Sequence, residues 1–193
     1  MRLCPRAVTR LPLASGLVLA VLLVVGVPGS TDASFAGILS ASATAPATTT
    51  TATTRVSATA SPSGPTRATR IQIARLGIDL PIRAGVIGAP ILVRYAYHYP
   101  TTSWPGGGSN TYLYAHAQAG AFLNLTYARR GELIVMRLVS GASVTYTVTG
   151  VYKVAWNAGK WVFPTSSERL TLQTCLGATL TSPRLIVIAV PTP

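Results

Sequence analysis

Along residues 143–149 apolar and polar side chains alternate strictly, with Val144, Tyr146 and Val148 on one side and Thr145, Thr147 and Thr149 on the other. A period of two marks a half-buried strand. Gly150 interrupts the pattern, and residues 151–155 continue it as strand. Other stretches read the same way. Ile71, Ile73, Ile78 and Leu80 outline a first strand with a bend near Gly77, and residues 111–116 alternate again. Residues 132–138, 170–175 and 184–190 are further strands, and residues 90–93 a short one. Residues 85–90 read as a turn region and residues 99–110, rich in Pro and Gly, as a loop. Phe122, Leu123 and Leu125 suit a turn or two of helix over residues 121–127. Short strands separated by turn signals predict a mainly β domain, a closed barrel or a sandwich.

The chain has 193 residues, and the strands occupy only its second part. The first ten residues carry Arg2, Arg6 and Arg10 and no acid, and residues 11–28 are almost wholly apolar. That length is at the lower end of what spans a bilayer. Basic residues in front of it predict a cytoplasmic N-terminus and an exported remainder. Two outcomes fit: a transmembrane anchor, or a signal peptide cleaved among the small residues near Val27 and Ser30. Residues 30–69 are dominated by Ala, Thr, Ser and Pro, and such a segment buries too little to offset its chain entropy. The expected organisation is therefore a basic tail and anchor over residues 1–29, a disordered linker over 30–69 and a folded domain over 70–193.

Charge narrows the partners. The whole chain has a formal net charge of +12, and residues 70–193 carry 11 basic and 3 acidic side chains. A basic surface suits an anionic partner such as lipid or cell-wall polymer, and export argues against nucleic acid. Asp79, Glu132, Glu168, His98, His116 and Cys175 show no metal-ligand spacing, so no metal and no cofactor is expected. Three acids in the domain also make paired-carboxylate chemistry a poor fit. What remains for catalysis is a thiol, two imidazoles and the arginines.

The thiol ends a strand. Leu170, Leu172 and Thr174 share one face of residues 170–175, while Thr171, Gln173 and Cys175 share the other. The leucine face is the natural core face, so Cys175 is expected to point away from it, among polar neighbours. A thiol buried among leucines would be inert, and one in polar surroundings can be reactive. The other cysteine, Cys4, precedes the apolar segment and is expected across a membrane from Cys175, an arrangement that would prevent a disulfide. His116 closes a strand in which Tyr112, Tyr114 and His116 share a face. His98 lies in a loop beside Tyr97, Tyr99 and Pro100, and residue chemistry alone does not choose between the two imidazoles as partner for the thiol. Arg184 opens the last strand, a short loop after Cys175. A guanidinium fixed there can stabilise a thiolate or a developing oxyanion.

Taken in order, these pieces resemble the sortase family over most of residues 70–193. Leu170-Thr171-Leu172-Gln173-Thr174-Cys175 is similar to the family's strand ending in Thr-Leu-x-Thr-Cys, and Arg184-Leu185-Ile186-Val187-Ile188-Ala189 to its arginine-led last strand. The strand ending at His116, followed by Phe122 and Leu125, resembles the one carrying the family's histidine. Gly131-Glu132-Leu133-Ile134 resembles its Gly-Asp-x-Ile strand start. His98-Tyr99-Pro100, Pro105-Gly106 and Gly108-Ser109-Asn110 resemble the loop before the histidine strand. The likeness is to the class D or E kind, with the subclass left open.

The resemblance implies an eight-stranded β-barrel with short helices, tethered to the outer face of a bacterial plasma membrane. It implies a cysteine transpeptidase that cleaves a C-terminal sorting motif of secreted proteins through a thioester and passes the acyl group to a cell-wall amine or a pilin. By position, Cys175 is then the nucleophile, His116 the acid/base and Arg184 the oxyanion or substrate-positioning group. Thr174, His98, Trp161 and Phe163 are the candidate substrate contacts, the last two on an aromatic loop before the nucleophile strand. Three features depart from the pattern: Ala115 precedes the histidine where many members have Gly, the loop after Cys175 is short, and no acidic cluster matches a calcium site. A pilin polymerase or cysteine protease of the same fold, and a non-enzymatic wall-binding domain, are the alternatives.

Overall fold

The computed structural model describes residues 64–193. The expected anchor, the cleavage site and nearly all of the linker lie outside the described residues. Among those that are described, no helix is long and apolar enough to cross a membrane.

Eight strands close into one barrel: β1 (Ala68–Ile73), β2 (Ile78–Ala84), β3 (Ala96–His98), β4 (Asn110–Tyr114), β5 (Leu133–Leu138), β6 (Ser143–Val154), β7 (Arg169–Cys175) and β8 (Arg184–Pro191). Around the barrel the order is β1-β2-β3-β4-β7-β8-β6-β5, with β5 returning to pair with β1. Two neighbouring pairs, β2–β3 and β4–β7, are parallel, and the rest are antiparallel. Closure removes the exposed sheet edges that would otherwise invite association.

The alternation in the sequence explains the barrel interior. Val144, Tyr146 and Val148 of β6 are all buried, as are Leu170 and Leu172 of β7. They meet Ile71, Leu113 and Val187 in one apolar cluster. Burying side chains of this kind contributes roughly 1.5–3 kcal/mol each. The interruption at Gly150 is a register shift: Val148 pairs with Ala189 and Gly150 with Ile188, so Thr149 is the extra residue of a bulge. Gly77 sits at φ +61°, the left-handed conformation that ends the 3-10 turn Ala74–Leu76 and folds β2 back on β1. The helical turn expected over residues 121–127 is a 3-10 turn, Leu123–Tyr127, whose Leu125 plugs the core together with Phe122.

Three details differ from the sequence reading. Residues 90–93 form no strand; the chain there is irregular and leads into β3, a strand too short for its periodicity to show. Ordered structure also starts earlier than residue 70. Ala68 is fully buried and pairs with Leu138, while the Thr66 N–H donates to the Pro105 carbonyl at 2.8 Å. Finally, the outer face of β7 is not open. Thr171, Gln173 and Cys175 do point away from the leucines and among polar groups, but loops cover them and all three are buried.

Candidate active site

Three strand ends meet at one level of the barrel wall. In the β4–β7 parallel pair, Tyr114 stands beside Gln173, and the Ala115 N–H donates to the Gln173 carbonyl at 3.2 Å. Two residues further along the chain from each are His116, past the end of β4, and Cys175, the last residue of β7. The Thr174 hydroxyl locks this alignment by donating to the Ala115 carbonyl at 3.1 Å. In the β7–β8 antiparallel pair, Cys175 stands directly opposite Arg184, and the Leu176 N–H donates to the Pro183 carbonyl at 2.9 Å to close the turn. The sheet thus carries Cys175 and Arg184 side by side on β7 and β8, with His116 two residues past the end of β4, the strand next to β7.

Their surroundings differ. Arg184 is only 3% exposed. Its Nη2 donates to the Leu180 carbonyl at 2.8 Å and its Nη1 to the Ser182 carbonyl, so the short loop after Cys175 cradles the guanidinium. Burial pulls its pKa below the usual arginine value, and Tyr112 partly opposes this. His116 is 8% exposed; its Nε2 lies 3.0 Å from the Ile91 carbonyl, and its buried Nδ1 has no hydrogen-bond partner. Cys175 is 3% exposed. It is disulfide-bonded in this structure. The expectation for Cys4 lies outside the described residues. Nucleophilic chemistry at this position needs the reduced thiolate.

Below the three lies a tyrosine-lined floor. Tyr97 of β3 and Tyr112 and Tyr114 of β4 form a second buried cluster, against which Ile91, Tyr95, Tyr99, Trp161 and Val162 pack. The Tyr112 hydroxyl donates to Gln173 Oε1, and burial raises its pKa above the ordinary tyrosine value while Arg184 draws it back. Burial likewise pushes Tyr114 up to about 12. The polar face of β7 foreseen in the sequence is real, but it is satisfied internally: Thr171 donates to Asn110 Oδ1 at 2.7 Å.

The four candidate substrate contacts separate. Thr174 spends its hydroxyl on the Ala115 carbonyl, just past β4. His98 packs beneath the loop after β3, with its ring stacked on Trp104 at 3.7 Å and Nε2 2.9 Å from the Ser103 carbonyl. Burial lowers its pKa. Trp161 is half-buried against Tyr152 and the tyrosine cluster, and its carbonyl accepts from Asn110 Nδ2 at 2.9 Å. Phe163 is 64% exposed. The loop that carries these aromatics leaves β6 beside Val154, which pairs with Arg184, and enters β7 at its far end. It therefore crosses the full length of the outer face, about 20 Å, room for about six extended residues. Sequence reasoning missed Tyr97, Gln173 and Ile91. The shared face of Tyr112, Tyr114 and His116 was the signal that pointed toward that floor. Among the described residues no group of three or more acidic, histidine or cysteine side chains could hold a metal ion.

A closed eight-stranded barrel with a cysteine, an arginine and a histidine at adjacent strand ends defines the class, and comparison with known proteins agrees. A family profile, the Sortase domain, matches residues 71–192, and the chain belongs to the sortase family. Solved structures with the same fold include the sortase C2 of Group B Streptococcus pilus island 1, at 27% identity and TM-score 0.57 over 64% of this chain and 73% of that one. Sortase C1 of Streptococcus agalactiae matches at 28% identity and TM-score 0.57, over 64% and 66% of the two chains. A lid mutant of sortase A from Corynebacterium diphtheriae matches at 26% identity and TM-score 0.58, over 65% and 70%. A search of curated proteins finds no match. Membership in the family implies a cysteine transpeptidase in general terms.

Proposed function

We propose that this chain is a membrane-anchored transpeptidase that attaches secreted proteins to a cell-wall amine, with Cys175, His116 and Arg184 as its machinery. The observation that supports this best is that Cys175 stands opposite Arg184 on β7 and β8 while β4, the strand leading to His116, pairs with β7. The Cys175 thiol passes its proton to His116, and its sulfur attacks the backbone carbonyl of a sorting motif, so that a sulfur–carbon bond forms. Arg184, held by two loop carbonyls, keeps a cation beside the oxyanion that develops. As the carbon–nitrogen bond breaks, His116 gives its proton to the leaving amine. An incoming amine then attacks the thioester, loses its proton to His116 and expels the thiolate. The basic tail and apolar segment at residues 1–28 support localisation at a bacterial plasma membrane, with the barrel outside.

One observation favours a second acceptor. Among the matching structures are sortases of a pilus island, so a pilin amine is the alternative to a wall amine.

The experiment is acyl transfer from a library of quenched peptides, under reducing conditions, by the wild type and by Cys175→Ala. Loss of cleavage in a variant with an unchanged circular dichroism spectrum is expected. A thioester should accumulate in the wild type when amine is withheld. Cleavage by Cys175→Ala at the wild-type rate would remove the transpeptidase reading and leave a wall-binding domain.

A further inference from the structure

The segment between β2 and β3, residues 85–95, has no regular structure, and one of its peptides reaches His116. A single peptide unit, the one joining Ile91 and Leu92, is held from both sides. Its N–H, that of Leu92, donates to the Tyr97 hydroxyl at 2.9 Å. Its carbonyl, that of Ile91, lies 3.0 Å from His116 Nε2. A carbonyl only accepts, so His116 Nε2 must carry the hydrogen. Nδ1 of the neutral ring is then a bare lone pair, and it is buried without a hydrogen-bond partner. Buried polar atoms are seldom left in that state without a reason.

We propose that Tyr97 is a positioning residue for acyl transfer. Through the Ile91–Leu92 peptide its hydroxyl fixes the His116 ring, assigns the resting proton to Nε2 and reserves Nδ1 for exchanging a proton with the substrate. The placement of Tyr97 suits this task. It is buried, stacked on Tyr114 at 5.9 Å, and set edge-on to Tyr95, so its hydroxyl has little freedom. The carbonyl acceptor also supports the ring when a second proton arrives on Nδ1, because Nε2 stays a donor in the imidazolium. Tyr97 touches no reacting atom; it acts through the backbone.

The inference rests on His116 being the acid/base, and its main test does not depend on activity. The chain has two histidines, so the full chain labelled with 15N-histidine, reduced and held at about pH 9, above the ordinary imidazole range, gives assignable ring signals. The wild type should show His116 as the Nε2–H tautomer with a bare Nδ1. Tyr97→Phe, which keeps the ring and deletes the hydroxyl, should show averaging between tautomers at His116 and none at His98. On any peptide the wild type cleaves, the same variant should lose about fivefold in kcat, with KM within about twofold. An Nδ1–H tautomer in the wild type would overturn the proposal, as would His116 signals or a kcat unchanged by Tyr97→Phe. If no peptide is cleaved, the transpeptidase reading fails, and the nitrogen spectra still decide the proton's position.

Discussion

His98 and His116 are the two imidazoles of the chain, and they sit in different environments. His98 is bound to its own loop: Ser103 and Thr102 surround Nε2, and Trp104 covers the ring. Burial holds its folded pKa below the ordinary value of 6.5, against a smaller opposing effect from the Ser103 carbonyl. The unfolded chain therefore takes up a proton at His98 before the folded one does. Stability from this group is fully present above the unfolded value and is lost as the pH falls through it toward the folded one. The melting temperature should accordingly drop between about pH 7.5 and about pH 5, and His98→Gln should flatten that drop. An equal slope in the variant would show that other groups carry the acid sensitivity. At neutral pH the same substitution should cost less than about tenfold in peptide cleavage, whereas His116→Ala should cost about 10²–10⁴-fold, the usual contribution of a general acid/base. Reversal of that order would move the acid/base to His98.

At the scale of elements, the aromatic loop between β6 and β7 divides its labour. Trp161 packs on Tyr152 and the tyrosine floor, so Trp161→Ala should lower stability by about 2–3 kcal/mol, seen as a shift of the urea midpoint. Phe163 stands in solvent on the same loop and offers an apolar ring to a bound peptide. Phe163→Ala should leave stability within about 0.5 kcal/mol and raise KM for peptide severalfold, with the reaction of Cys175 toward a small electrophile unchanged. Unchanged peptide kinetics would assign Phe163 no part in recognition. Elements whose inner face was apolar were legible in the sequence, because alternation is dictated by burial: β6 with its interruption at Gly150, β7 with its leucine face, β8 apolar on both faces. What was misread lay where burial does not follow a period. Residues 90–93 are apolar and bounded by turn signals, so they resemble a strand, but Leu92 points to solvent and Ile91 leans on tyrosines. β3, three residues long and wholly buried, leaves no period to read. At the site, sequence order and the resemblance marked Cys175, His116 and Arg184. The parallel pairing of β4 with β7, which brings the segment leading to His116 beside the strand ending at Cys175, joins segments 59 residues apart and has no local signature.

At the scale of the molecule, the question is where the independent fold begins. The sequence reading put the boundary at residue 70, on composition. The barrel puts it earlier, because β1 closes the cylinder against β5 and its first residues contribute to the seam. Ala68 is buried there, the Val139 N–H donates to the Arg67 carbonyl at 2.9 Å, and the Thr66 N–H bonds to the Pro105 carbonyl. A chain starting at Arg70 loses both backbone hydrogen bonds and the Ala68 methyl. At about 1 kcal/mol for each bond and about 0.8 kcal/mol for the methyl, the cost is roughly 2–3 kcal/mol. That is a large share of the roughly 5–15 kcal/mol by which such a domain is stable. A chain starting at Gly64 keeps the whole seam. Urea unfolding should therefore separate the two truncated forms by about that amount at equal slope, while both, assayed well below their midpoints and with reductant, cleave peptide with the same kcat. Equal midpoints would mean that the β1–β5 seam owes nothing to residues 64–69. An unfolded chain from Gly64 would mean that the preceding residues are part of the fold.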